Sequence, residues 1–179
     1  DLEVVVRPRR RNRARLTLLM DVGGSMDPFS HLVEQLFTAA SRTGRFARFR
    51  PLYFHNCVYE AVYEDAAFRR PVALPDLLAS SDPDALLVIV GAAAMHPAAL
   101  LQPGGTIYSY DHNERPGIEW MKDLADHFPR RAWLNPEPRG YWEQTTTTQL
   151  LRRLYPMFPL TLDGLEEAIR RLLRTGAAA

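Results

Sequence analysis

The chain has 179 residues, 46% hydrophobic and 24% charged, with a formal net charge of +1; this is the profile of one globular domain and excludes a disordered segment or a polycation that seeks nucleic acid through bulk charge. A single cysteine, Cys57, excludes an internal disulfide framework and suits a reducing cytosol. No apolar run approaches the roughly 20 residues of a membrane span, and no secretory signal pattern is present, so a cytoplasmic location is expected.

Residues 1–15 open with Val4-Val5-Val6 and then turn basic at Arg7, Arg9, Arg10, Arg11, Arg13 and Arg15. They read as a linker or arm ahead of a domain over 16–175. A nucleic-acid-binding module working through this arm is the alternative, but the arm lacks aromatic residues for base stacking. Lys122 is the one lysine in the chain. The start at Asp1, without a methionine, fits a domain of a longer protein.

Residues 16–20 form an unbroken apolar run that stops at Asp21, as expected of a strand buried on both faces of a parallel sheet. The turn Asp21-Val22-Gly23-Gly24-Ser25-Met26 follows. Residues 29–40 then carry Phe29, Leu32, Val33, Leu36, Phe37 and Ala40 at helical spacing, with a stop near Gly44. A second strand is predicted over 50–58, whereas 59–68 fits either a hairpin extension or a partly helical segment. A short proline-started helix over 75–79 and a turn over 80–84 lead to a second continuous apolar strand at 85–90, ending at Gly91. Residues 97–101 begin a helix, 103–105 a turn, 107–110 a brief strand or loop, and 111–115 a polar connection. A helix over 116–128 turns Ile118, Met121, Leu124, Ala125 and Phe128 inward. A short strand at 131–134 is broken at 135–138, helix 145–154 follows, and Asp163 is expected to cap a terminal helix over 164–173. Strands alternating with helices over the whole length predict an α/β fold, a mainly parallel sheet with helices on both faces.

A buried strand, a glycine turn and a helix place ligands at the carboxyl edge of such a sheet. Asp21 and the Ser25 hydroxyl would meet there as hard oxygen ligands of the type that suits Mg²⁺. The plainer reading is a strand–turn–helix junction with Ser25 or Asp27 as N-cap. Phosphate binding is disfavoured, because no lysine precedes the hydroxyl and Asp21 would repel an anion. His55 and Cys57 would share one face of an alternating strand, yet no third orienting group accompanies them, which argues against an enzyme. His31, His55, His96, His112 and His127 show no paired zinc spacing.

Asp21-Val22-Gly23-Gly24-Ser25 resembles the metal-ion-dependent adhesion site (MIDAS) of von Willebrand factor A (VWA) domains, Asp-x-Ser-x-Ser at the end of the first strand. Leu-Met-Asp-Val-Gly-Gly-Ser-Met-Asp-Pro at 19–28 is similar to the CoxE-like VWA proteins of bacteria. So are Tyr-Phe-His-Asn-Cys-Val-Tyr-Glu at 53–60, Trp-Leu-Asn-Pro at 133–136 and Phe-Pro-Leu-Thr-Leu-Asp-Gly-Leu at 158–165. The resemblance runs from about residue 10 to the C-terminus. It implies a Rossmann-like VWA fold and a non-enzymatic protein-interaction role. It further implies an adaptor or co-chaperone for a MoxR-type AAA+ ATPase and a client protein in metalloenzyme maturation. Partners would dock at the edge bearing Asp21, through an acidic residue or a AAA+ loop. Asp21, Gly23 and Ser25 fall on the family's metal positions. Gly91-Ala92-Ala93 stands where the family usually has Gly-Asp-Ala, and 72–75, where its threonine is expected, has no hydroxyl. The resemblance therefore implies a degenerate Mg²⁺ site, with Ala92 in place of the second aspartate.

Overall fold

The computed structural model describes residues 14–42, 46–106 and 113–174. Its first strand, β1 (Ala14–Asp21), is buried from Leu16 to Leu19 and ends at the acid. A 3-10 helix over Gly24–Phe29 leads into α1 (Ser30–Arg42). Next come β2 (Phe46–Phe54), the three-residue strands β3 (Ala61–Tyr63) and β4 (Pro71–Ala73), and helix α2 (Leu74–Ser80). The second half runs β5 (Leu86–Val90), α3 (Pro97–Leu101), α4 (Gly117–His127), β6 (Arg131–Asn135), α5 (Thr146–Leu154), β7 (Met157–Pro159) and α6 (Leu162–Arg174).

The strands form one sheet in the order β4-β3-β2-β1-β5-β6-β7. β1 pairs parallel with both β2 and β5, and β6 and β7 continue the parallel set. β3 is antiparallel to β2 and to β4. The chain thus starts in the middle, builds one side, and crosses over to build the other. The crossover makes a topological switch point between β1 and β5, where ligands of open α/β sheets bind beyond the carboxyl ends.

Helices cover both faces, as the alternation predicts. β5 shows why its sequence is apolar throughout: Leu87 and Ile89 join one core with α2, α3, α4 and α5, while Leu86, Val88 and Val90 join the other with α1 and α6. Among the described residues no helix is long and apolar enough to cross a membrane.

Several boundaries differ from the sequence reading for local reasons. β2 starts at Phe46 rather than 50, because Phe46–Phe49 pair with Ala14–Leu16, and it ends at Phe54, because the chain turns at Asn56 (φ 60°). Residues 61–73 resolve as the β3–β4 hairpin. The stretch 72–75 is therefore the end of β4 and the start of α2, at the far edge of the sheet, and not a loop beside Asp21. β7 is an addition to the sequence reading; its three residues follow Pro156 and end at Pro159. α6 begins at Leu162, and Thr161, not Asp163, accepts the Gly164 N–H at 3.1 Å. At α1 neither Ser25 nor Asp27 caps through its side chain; both lie in the 3-10 helix, and the Ser30 hydroxyl donates to the Asp27 carbonyl. Arg15 lies in β1 and pairs with Asp82 at 2.7 Å. The rest of the predicted basic arm, Gly44 and residues 107–112 fall outside the described residues.

Candidate functional site at the β1–β5 switch point

β1 and β5 run in register, with Met20 beside Val90, so Asp21 and Gly91 meet at the carboxyl edge. A Cβ on Gly91 would lie 2.9 Å from the Asp21 Cβ and 3.3 Å from its Oδ2. Glycine here is what gives the carboxylate room. The Gly91 carbonyl is held in turn by the Trp133 indole N–H at 2.8 Å, which ties the end of β5 to β6.

The opposite wall comes from the turn after β2. The Cys57 N–H bonds back to the His55 carbonyl at 2.6 Å, closing a γ-turn around Asn56. A positive φ at the centre of such a turn is sparsely populated, and asparagine is among the few residues that tolerate it. The turn aims the Asn56 N–H at Asp21 Oδ1, 2.8 Å away. His55 Nδ1–H donates to the Val22 carbonyl, which sets its tautomer. Its ring lies over Gly23, where a Cβ would stand 3.3 Å from Cε1. The φ values of 87° at Gly23 and 57° at Gly24 lie in the left-handed region that glycine occupies freely. The Gly-Gly pair thus serves the turn and the His55 seat together.

Asp21 is 7% exposed. Burial pushes its carboxyl up to about 7; the Asn56 N–H, nearby His55 and the Val22 N–H favour the charged form but only partly offset desolvation. The site therefore holds a carboxyl group that changes charge near neutral pH.

Of the residues expected to hold Mg²⁺, Asp21 and Gly23 sit at this edge. Ser25 is exposed in the 3-10 helix, as is Asp27, and Ala92 packs with the core under α1. Among the described residues no group of three or more His, Cys, Asp and Glu side chains gathers to hold a metal ion. One carboxylate, already accepting a backbone N–H, and one exposed hydroxyl do not fit a resident Mg²⁺, which wants near-octahedral oxygen ligation.

His55 and Cys57 do not share a strand face, since a turn separates them. Cys57 is 3% exposed, and its thiol faces the place where a Cβ on Gly117 would stand, 2.6 Å away. A thiol so enclosed is inert. Iodoacetamide at neutral pH is expected to leave Cys57 unmodified in the native protein and to alkylate it in urea; mass spectrometry reads both, and rapid native alkylation would refute the assignment. The other described histidines serve local structure: His31 meets Gln35, His96 caps α3, and His127 meets the Ser81 carbonyl.

Asn56 and Gly91 are the site residues that the spacing of the sequence did not single out, and His55, weighed there only as a partner of Cys57, joins the site through its ring over Gly23. Two signals were there: an asparagine between strand-forming residues, which suits a left-handed turn, and a glycine ending a fully apolar strand.

Residues 2–64 match the family model for a VWA domain containing CoxE-like protein. The matched stretch reaches β3 and holds Asp21, the glycine turn, His55 and Asn56. No curated protein matches the sequence. The matched segment supplies the central strand of a mainly parallel α/β sheet, with its signature acid at the switch point, and over that stretch the chain is similar to CoxE-like VWA domain proteins.

Proposed function

We propose that this VWA protein-interaction domain is non-enzymatic and works in the cytoplasm as an adaptor or co-chaperone for a MoxR-type AAA+ ATPase during maturation of a metalloenzyme client. The observation that carries the reading is Asp21 itself. A carboxyl group kept in the interior at the β1–β5 edge, at a cost in desolvation, is a group retained for a contact rather than for the fold. No nucleophile–base pair lies beside it among the described residues, so docking is the chemistry left to it.

A single carboxylate without an ion repels an acidic side chain and attracts donors. A AAA+ loop presenting an N–H group or a guanidinium is therefore the favoured occupant, and an acidic partner residue would need a bridging Mg²⁺. Isothermal titration of the purified domain with a purified MoxR-type ATPase from the same genome tests this. Asp21→Ala is expected to weaken binding at least tenfold, while Asp84→Ala, an exposed position ahead of β5 at the opposite edge of the sheet, leaves it unchanged. Equal affinity of Asp21→Ala and the parent domain would remove Asp21 from the interface.

A further inference from the structure

The face of the sheet that carries α1 and α6 is incompletely covered. α6 lies against β6 and β7, and α1 shares a core with Leu16, Leu18 and Val88 and reaches β2 through Phe37, whose ring stands 6.0 Å from that of Phe49. Beside α1 this leaves a groove of about 670 Å³. Its floor is Leu18 and Met20 of β1 with Phe49, Pro51 and Tyr53 of β2, and Phe37 of α1 forms its apolar wall. The alternation of β2 explains the floor: Leu52 and Phe54 point into the opposite core, so their neighbours face the groove.

Among the described residues the edge of β2 is also open before Tyr53, the position at which it pairs with Tyr63 of β3. Strand addition is nonetheless disfavoured. Pro51 has no N–H to offer, and Arg48 and Arg50 precede it on the same strand; proline and charge are the devices that blunt an edge. The face is what stands available, and a helix is the element that covers an apolar sheet face in an α/β layer. The groove has a charge preference as well. Asp27 and Glu34 line its α1 side among the hydroxyls of Ser30, Thr38 and Ser41, Asp21 stands at its end, and no basic residue lines it among the described residues. Ser30 to Ser41 of α1 sets a length of about three helical turns.

We propose that this groove seats an amphipathic helix of about three turns from a partner protein, its apolar stripe on Phe49, Pro51 and Tyr53 and an arginine or lysine beside Glu34 and Asp27. Selection from a phage-displayed library of random peptides, 20 residues long, against the full chain tests it. Enriched peptides are expected to space apolar residues by three and four, to carry arginine or lysine, and to gain helical circular dichroism on binding. Glu34→Lys and Pro51→Lys, both at exposed positions, are expected to keep the thermal melt and to lower peptide affinity at least tenfold. No enrichment, peptides that alternate with period two, or equal binding to both variants would overturn the proposal. So would a dimer of the chain alone that Glu34→Lys dissociates, since a second copy would then be the occupant. The groove runs up to Asp21, Val22 and Gly23 of the switch-point turn; both substitutions leave Asp21 in place, so peptide binding lost with ATPase binding kept assigns the helix to the groove beside α1, and loss of both assigns one shared surface.

Discussion

Asp21→Asn is expected to stabilise the domain above neutral pH, by up to about 4 kcal/mol. In the unfolded chain the carboxyl titrates at its ordinary value of 3.8, and in the folded protein at about 7. Between those values the folded state holds a proton that the unfolded state has released. Stability therefore falls as pH rises through that window, by about 1.4 kcal/mol per unit, and levels off above it. Below the unfolded value the group is protonated in both states and contributes no difference. Asparagine cannot ionise, and its side-chain carbonyl can still accept the Asn56 N–H, so the variant keeps the hydrogen bond and loses the desolvation cost. Urea unfolding across the window reads the effect as a difference between two curves, which cancels the contributions of the other acids. The parent should lose stability from pH 4 to 8 relative to Asp21→Asn; parallel curves would show that the folded carboxyl titrates normally. The same variant should bind the ATPase less well, a trade of function against stability that is common at binding sites.

The parts of the fold visible in the sequence are those specified by near neighbours. Leu16 to Asp21, the α1 face, Leu86 to Val90 and the inward stripe of α4 each carry a pattern that requires no knowledge of the rest of the chain. β2 was misplaced because aromatic residues run on past Phe54, and only pairing with β1 and the turn at Asn56 decide where the strand lies. The candidate site divides in the same way. Asp21 and the glycine turn are a local signature. The Asn56 N–H comes from 35 positions away, and the Gly91 contact arises because β5, distant in sequence, lies next to β1. Residues 72–75 were assigned to the metal edge by resemblance, whereas the β3–β4 hairpin carries them to the far side of the sheet. No periodicity records such distances. The protonation of Asp21 was hidden for the same reason, since it depends on burial by elements that meet only in the folded state.

Ala92→Asp is expected to create a Mg²⁺ response that the parent domain lacks. Ala92 follows Gly91 directly, and Gly91 touches Asp21, so an aspartate there would bring a second carboxylate to the switch-point edge. Without an ion, two neighbouring carboxylates disfavour each other's charge, so the variant alone should melt below the parent. Mg²⁺ takes one or two carboxylates and fills the remaining positions with water and hydroxyl oxygen, and the exposed Ser25 turn leaves space for both. At a hundredfold excess over its dissociation constant, an ion that binds only the folded state adds about 2.7 kcal/mol. For a domain of this size that corresponds to a rise of about 5–10 °C in melting temperature. The parent should melt at the same temperature with Mg²⁺ or with a chelator, and Ala92→Asp combined with Asp21→Asn should lose the response. A rise of similar size in the parent would mean that Asp21 and Ser25 suffice to hold the ion. An unresponsive Ala92→Asp would mean that position 92 does not reach the edge, and the resemblance of this turn to a metal-ion-dependent adhesion site would then extend to its sequence but not to its chemistry. The predicted pair of outcomes instead describes a site whose ion was lost with one side chain, leaving Asp21 to meet its partner directly.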